Sequence, residues 1–388
     1  MTVDDDAPAG DAPSAVDAVA ARAAAASRGC TRWLSGHGSI EPAAWLSEAA
    51  AAVVEADLDR YGAGGEVGAL EREVAALLGK AAAVFMPSGI MAQQAALRAW
   101  VDRSASDAVA VHGLSHLVRH ELDALPELHR LRLQQLTREP RPATVADLDA
   151  IDEPLAAVTL ELPLRDAGYL LPSWEDLVAF SDRARELGIP LHVDGARIWE
   201  AQPFYDRPLA EIAALADSIY VSFYKGLGGM AGAIVAGPVD LVAHARRWQT
   251  RHGGRLFVLL PYAVLARHGL AAYLPKMSAY RERAIELAHR LDQIEGVRVF
   301  PITPHTNAFR LFIDAPVDAS TEAGLQLMER EHVAVSGWWM AADVPGWSMT
   351  ELTVGDATFA WDLDAQVATI EGLVGHAREL AAEATAAS

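Results

Sequence analysis

Two short apolar runs near the middle of the chain, each ending in a charged residue, constrain its fold more than any other feature. The first is Leu191-His192-Val193-Asp194-Gly195-Ala196-Arg197, and the second is Ser218-Ile219-Tyr220-Val221-Ser222-Phe223-Tyr224-Lys225-Gly226. Runs of this length, rich in β-branched and aromatic residues and bounded by glycine, read as buried strands. In an open α/β sheet such strands deliver their polar residues at the carboxyl end, where ligands bind. Asp194 and Lys225 are therefore expected on adjacent strand ends, facing one crevice. The alternative is a structural ion pair at the sheet edge. An Asp-x-x-Arg followed by Ser-x-x-Lys-Gly is a more specific pattern than such a pair requires.

A buried carboxylate beside a lysine suits pyridoxal phosphate (PLP). The lysine amine forms a Schiff base with the aldehyde, and the acid keeps the pyridine nitrogen protonated so that the ring draws electrons. A phosphate cradle is expected where a strand over 81–86 runs into Pro87-Ser88-Gly89-Ile90-Met91 and a helix begins. Free amides and the positive end of the helix dipole attract an anion there. Ser222, three residues before Lys225, offers a further hydroxyl.

The stretch His192-Val193-Asp194-Gly195-Ala196-Arg197-Ile198, taken with Ser222-x-x-Lys225-Gly226-Leu227-Gly228, resembles the low-specificity threonine aldolases of the β-eliminating lyase family, which are fold-type I PLP enzymes. The resemblance runs from about residue 61 to the C-terminus. It implies Lys225 as the Schiff-base lysine, Asp194 as the partner of the pyridine nitrogen, and Ser88, Gly89, Ile90 and Met91 around the phosphate. Ile90 stands where the family usually has threonine, which removes one hydroxyl. The resemblance also implies that His116, rather than His112 or His120, stacks on the cofactor ring and exchanges a proton with a β-hydroxyl. Arg197 is assigned to the cofactor and to the substrate carboxylate, and Arg165 is an extra cation near the same pocket. Ser35, in Trp33-Leu34-Ser35-Gly36-His37, stands where a family segment helps form the substrate pocket. His37 is a second candidate there, and an ordinary glycine-rich turn is the alternative. Arg251 and Arg255 fall where the family donates basic groups to a neighbouring subunit; solvated surface charges are the alternative.

One departure bears on the substrate. The family places an arginine just before Val-Thr-His to clamp the α-carboxylate, and here Trp347-Ser348-Met349-Thr350-Glu351-Leu352-Thr353-Val354 contains none. Orientation of a carboxylate needs a forked cation, so the task falls to Arg197, alone or with Arg165 or a partner's arginine. Trp338, Trp339 and Trp347 read either as core or as the lining of a pocket for an aromatic β-substituent.

The expected architecture is α/β, PLP-dependent transferase fold type I. It comprises a mainly parallel seven-stranded sheet with helices on both faces and a small α+β C-terminal domain. The expected divisions are a disordered tail over 1–27, an arm over 28–60, a large PLP-binding domain over 61–255, linking helices over 256–294 and the small domain over 295–388. The alanine run in the tail shows no face to bury. A chain of 388 residues, 52% hydrophobic, can bury a large core. A net charge of −20 with no basic stripe argues against nucleic acid. Asp4, Asp5 and Asp6 replace a basic leader and no apolar run is long enough to span a bilayer, so a cytoplasmic protein is expected. Cys30, the single cysteine, excludes an intramolecular disulfide, and no metal is expected.

The expected reaction is cleavage of the Cα–Cβ bond of a β-hydroxy-α-amino acid to glycine and an aldehyde. The expected assembly is a homodimer or homotetramer with the site at the subunit interface. The alternatives are a PLP-dependent β-eliminating lyase or racemase, and a non-catalytic partner protein of the same fold. A dinucleotide-dependent dehydrogenase ranks below these, because no Gly-x-Gly-x-x-Gly follows an early strand.

Overall fold

The computed structural model describes residues 15–39, 41–54 and 57–387. Seven strands build the principal sheet: β1 (Ala82–Met86), β2 (Ala108–Val111), β3 (Arg132–Gln135), β4 (Ala157–Glu161), β5 (Leu191–Gly195), β6 (Ser218–Ser222) and β7 (Ala233–Gly237). Their order is β1-β7-β6-β5-β4-β2-β3. Strands β3, β2, β4, β5 and β6 pair in parallel, and β7 runs antiparallel to both β6 and β1. Strands β2, β5, β6 and β7 are buried along their whole length, as a sheet covered by helices on both faces requires. The register sets Glu161 opposite Asp194 and Asp194 opposite Tyr220. Acidic groups on neighbouring strand ends therefore lie at one level.

Two features of this sheet depart from a simple βα alternation. Strand β3 is polar, Arg-Leu-Gln-Gln, and sits at the edge, where one side needs no apolar cover. Strand β7 reverses because the chain returns from β6 by a glycine-rich turn instead of a crossover helix, and a short connection permits only antiparallel pairing. Phe223 N–H donates to Gly232 O at 3.2 Å and Gly229 N–H to Phe223 O at 2.7 Å across that turn. Gly232 has φ of 108°.

The segment after the sheet is two helices, Leu260–Ala272 and Met277–Leu291, broken around Tyr273-Leu274-Pro275. Pro275 lacks an amide hydrogen, and the chain passes between the two helices through a single 3-10 turn, Leu274–Lys276. A second sheet follows, made of β8 (Val297–Phe300), β9 (Ala308–Ile313), β10 (Met340–Ala341) and β11 (Ser348–Thr353). It is antiparallel in the order β10-β11-β9-β8. Its buried residues Val297, Phe309 and Leu352 belong to the same core as Phe85 of the principal sheet, Trp199 of the helix Ile198–Tyr205 and Phe223 just after β6.

The N-terminal region differs from the expected disordered tail. Ala15–Arg28 is a helix, while residues 1–14 lie outside the described residues. The alanines do present a face: Ala23, Ala26 and Cys30 pack on Leu325 and Met328. Arg22 bridges Glu322 and Glu329, each at 2.7 Å. Arg32–Trp33 then pairs in parallel with Val333–Ala334 as a separate two-stranded sheet, which joins the arm to the C-terminal part of the chain. No described helix is long and apolar enough to cross a membrane.

Candidate active site

His116, Glu161, Arg165, Asp194, Arg197 and Lys225 line one cleft at the carboxyl ends of the parallel strands. Asp194 lies at the carboxyl end of β5, one residue before its last, is 3% exposed, and accepts the Ala196 N–H at 3.1 Å. Burial pushes its carboxyl pKa upward, against the pull of the Lys225 ammonium and the Ala196 amide. Beneath it His192 spends both ring nitrogens, on Ser218 Oγ and Gln93 Oε1, each at 2.8 Å. Enclosure holds His192 neutral, with a pKa lowered to about 3.

Lys225 follows β6 and has its pKa lowered to about 8, first by burial and then by the nearby Arg197 cation. The carboxylates of Asp194, Glu161 and Glu200 oppose that shift. The Arg197 guanidinium lies over the Tyr169 ring, 5.4 Å from its centre, which fixes its plane without using its donors. Glu161 ends β4 and accepts the backbone N–H groups of His116 at 2.7 Å and Arg165 at 3.1 Å. Burial and the Asp194 charge raise its pKa to about 7.

His116 opens a short helix over His116–Arg119. Its Nδ1 is bonded to Glu121 Oε1 at 3.0 Å, and that bond raises the pKa of the ring. Among the described residues its Nε2 has no hydrogen-bond partner. Glu121, which the sequence reading did not single out, is 5% exposed and has its own pKa raised by burial. The other two histidines of the stretch are engaged elsewhere. His112 caps Leu114 N–H and bonds the Arg141 carbonyl, and His120 bonds Asp166.

The helix Gly89–Val101 begins beside this cleft, with Ser88 Oγ accepting the Met91 N–H at 3.3 Å. Gly89 has no room for a side chain: a Cβ would lie 2.1 Å from the Tyr220 hydroxyl and 2.7 Å from that of Tyr224. The first turn thus offers bare amides next to two hydroxyls, a donor set that fits a phosphate. Ile90 is exposed, and Met91 lies against Gly254. The Ser222 hydroxyl donates to the Ala196 carbonyl at 2.7 Å, so it braces the floor of the cleft. Carboxylate, lysine, histidine and anion cradle together fit PLP.

The other candidates sit differently. Arg165 lines the cleft, yet its fork is closed on Glu351 Oε2 at 3.0 and 2.7 Å, and Tyr169 donates to the same oxygen at 2.6 Å. Arg310, opposite Glu351 in the β9–β11 register, donates to the Arg165 carbonyl at 3.1 Å. Ser35 is occupied by the end of β11, where Thr353 N–H donates to its Oγ at 3.0 Å. Arg251 and Arg255 are exposed; Arg251 lies over Trp248 and Arg255 donates to the Tyr61 carbonyl. Trp338 and Trp339 line an apolar groove with Val19, Leu325 and Met328, away from Lys225.

Comparison with known proteins agrees with this constellation. A family model described as beta-eliminating lyase matches residues 40–315. The low specificity L-threonine aldolase of Escherichia coli K12 is 30% identical over 255 residues, which is 64% of this chain and 75% of that one. The aldolase vrtJ of Penicillium aethiopicum is 37% identical over 194 residues, and this chain spans about half of its length, 49%. Among solved structures, an Exiguobacterium protein described as a putative aromatic amino acid beta-eliminating lyase/threonine aldolase superposes with a TM-score of 0.86 at 38% identity. It covers 92% of this chain and 99% of its own. A putative L-allo-threonine aldolase of Listeria monocytogenes gives 0.85 at 36%, covering 93% and 99%. With the match running from the arm through β9, and with a cleft whose residues fit the cofactor, the chain belongs to the beta-eliminating lyase family of PLP-dependent enzymes.

Proposed function

We propose that the chain is an aldehyde-lyase that splits the Cα–Cβ bond of a β-hydroxy-α-amino acid, of the threonine, allo-threonine or phenylserine type, into glycine and an aldehyde. The observation that carries this reading is the convergence of Lys225, Asp194, Arg197 and a Glu121-held His116 on one cleft. When bound, PLP supplies the aldehyde that the lysine amine captures and the ring that accepts the electrons of the broken bond.

Asp194 would hold a proton on the pyridine nitrogen, and the amides at Gly89 and Ile90 would receive the phosphate. Arg197 would take the α-carboxylate and so fix the orientation of the amino acid in the cleft. Its cation also lowers the Lys225 pKa. A carboxylate seated on Arg197 would offset that field and make the Lys225 amine more basic. With Nδ1 tied to Glu121, His116 presents Nε2 as the base for the β-hydroxyl proton. The raised pKa of the ring strengthens that base.

The proposed assembly is a homo-oligomer. Ile90, Tyr224, Tyr61 and Phe257 are exposed, and Tyr61 and Phe257 meet edge to face at 5.4 Å. An apolar patch of this kind beside an anion cradle supports pairing with a second copy.

The test is incubation of the PLP-loaded protein with L-threonine, L-allo-threonine and phenylserine, with glycine and aldehyde assayed. Equimolar glycine and aldehyde are expected. Ammonia with a keto acid, or a change of configuration without cleavage, would overturn the reading in favour of elimination or racemisation.

A further inference from the structure

Gly226, the residue that follows Lys225, is gripped from both sides. Gly226 N–H donates to Glu200 Oε1 at 3.0 Å, and Gly226 O accepts from His37 Nε2 at 2.9 Å. Neither partner is near in sequence. Glu200 lies in the first turn of the helix Ile198–Tyr205 that begins after Arg197, and His37 lies on the N-terminal arm. Gly226 also explains its own identity: a Cβ there would fall 2.4 Å from Glu200 Oε1.

His37 is itself fixed at three points. Its ring stacks on Tyr273 with centres 4.0 Å apart, its Nδ1 accepts the Asp356 N–H at 3.4 Å, and its Nε2 donates to Gly226. Those bonds require the neutral tautomer with hydrogen on Nε2, and burial lowers the pKa of the ring in the same sense. The arm reaches this point through the end of β11. Gly36 N–H donates to Thr353 O at 2.6 Å, and Ala357 N–H donates to Gly36 O at 3.2 Å. A continuous chain of bonds therefore joins the second sheet, the arm and the residue after Lys225. Glu200 adds charge to the grip. Among the described residues its Oε2 is buried without a hydrogen-bond partner, and its carboxylate acts on both Arg197 and Lys225.

We propose that His37 and Glu200 are positioning residues that clamp the Gly226 peptide and thereby set where the Lys225 amine sits, with His37 tying that placement to the seating of the arm and the second sheet. The proposal rests on Lys225 being the lysine that carries PLP. Displacement of a reacting group by about 1 Å costs on the order of 100-fold in rate, so loss of either bond falls on turnover rather than on substrate affinity.

The test compares wild type with three variants. His37→Phe keeps a ring on Tyr273 and loses both bonds. His37→Gln retains an amide donor for the Gly226 carbonyl. Glu200→Gln keeps the acceptor and removes the charge. Each is titrated with PLP by absorbance, the pH midpoint of the cofactor band is measured, and kcat and KM are determined with the best substrate. His37→Phe is expected to lose about 100-fold in kcat with KM little changed, and His37→Gln to recover most of it. Glu200→Gln is expected to bind PLP and to shift the midpoint to lower pH, because an anion that favours the protonated nitrogen is gone. Wild-type kcat and midpoint in both His37→Phe and Glu200→Gln would overturn the clamp. If His37→Phe fails to fold, Glu200→Ala, which removes the acceptor of the Gly226 N–H, is measured in its place, and wild-type kcat in that variant overturns the clamp. A wild type that gives no cofactor band overturns the reading of Lys225, and the clamp with it.

Discussion

Lys225 owes its chemistry to its surroundings. An exposed lysine is ammonium at neutral pH, but burial and the Arg197 cation bring this one to about 8. A lowered pKa in a base means that the neutral amine appears as pH rises through that value. Capture of the PLP aldehyde needs the neutral amine, so the rate of cofactor uptake by the apoprotein should climb with a midpoint near pH 8. Stopped-flow absorbance at fixed ionic strength reads this directly, and a midpoint above 10 would contradict the account. The sequence made Asp194, Arg197 and Lys225 legible because each follows an apolar strand that stops at a charge. Glu121 and Glu200 were not legible. Their roles arise from tertiary proximity to His116 and Gly226, and nothing in their local sequence separates them from surface glutamates.

At the scale of elements, the cation nearest the cleft beside Arg197 serves as a clasp. Arg165, in the turn after β4, closes its fork on Glu351 of β11 and so pins the second sheet to the first. Glu351 is 9% exposed at its side chain, and a carboxylate left there without the fork loses charge-assisted bonds. Arg165→Ala should therefore lower the unfolding free energy by about 1–3 kcal/mol, measured by urea denaturation, while the Km for substrate changes little. A large rise in KM with unchanged stability would instead place Arg165 on the substrate. Strands β5, β6 and β9 could be read from their apolar runs. Strand β3 was missed because its Arg-Leu-Gln-Gln sequence lies on an edge, and β11 because Ser348, Thr350 and Thr353 dilute its hydrophobic signal. Sequence periodicity also gave no direction for β7, which is set by the glycine turn from Gly226 to Gly232.

The whole molecule joins two sheets through one core, and the N-terminal arm is part of that joint. The alanine helix looked unable to bury a face because small side chains give little hydrophobic contrast. Close approach to Leu325 and Met328 compensates for their size. The exposed Tyr61–Phe257 pair marks the face where a second copy is proposed to dock. Phe257→Glu should shift the protein from a multiple of the chain mass to the single chain in analytical ultracentrifugation. An unchanged sedimentation profile would remove that face from the interface.

The chain contains three lysines, Lys80, Lys225 and Lys276. Lys80 donates to the Ala216 carbonyl, and Lys276 pairs with Asp356 at 2.7 Å, so Lys225 is the one that faces the cleft. Borohydride reduction of the PLP-loaded protein followed by peptide mass mapping asks which lysine carries the cofactor. The account predicts a single phosphopyridoxyl group on the Lys225 peptide, and its loss in Lys225→Ala. A label on Lys80 or Lys276, or none on any lysine of the loaded protein, would contradict it.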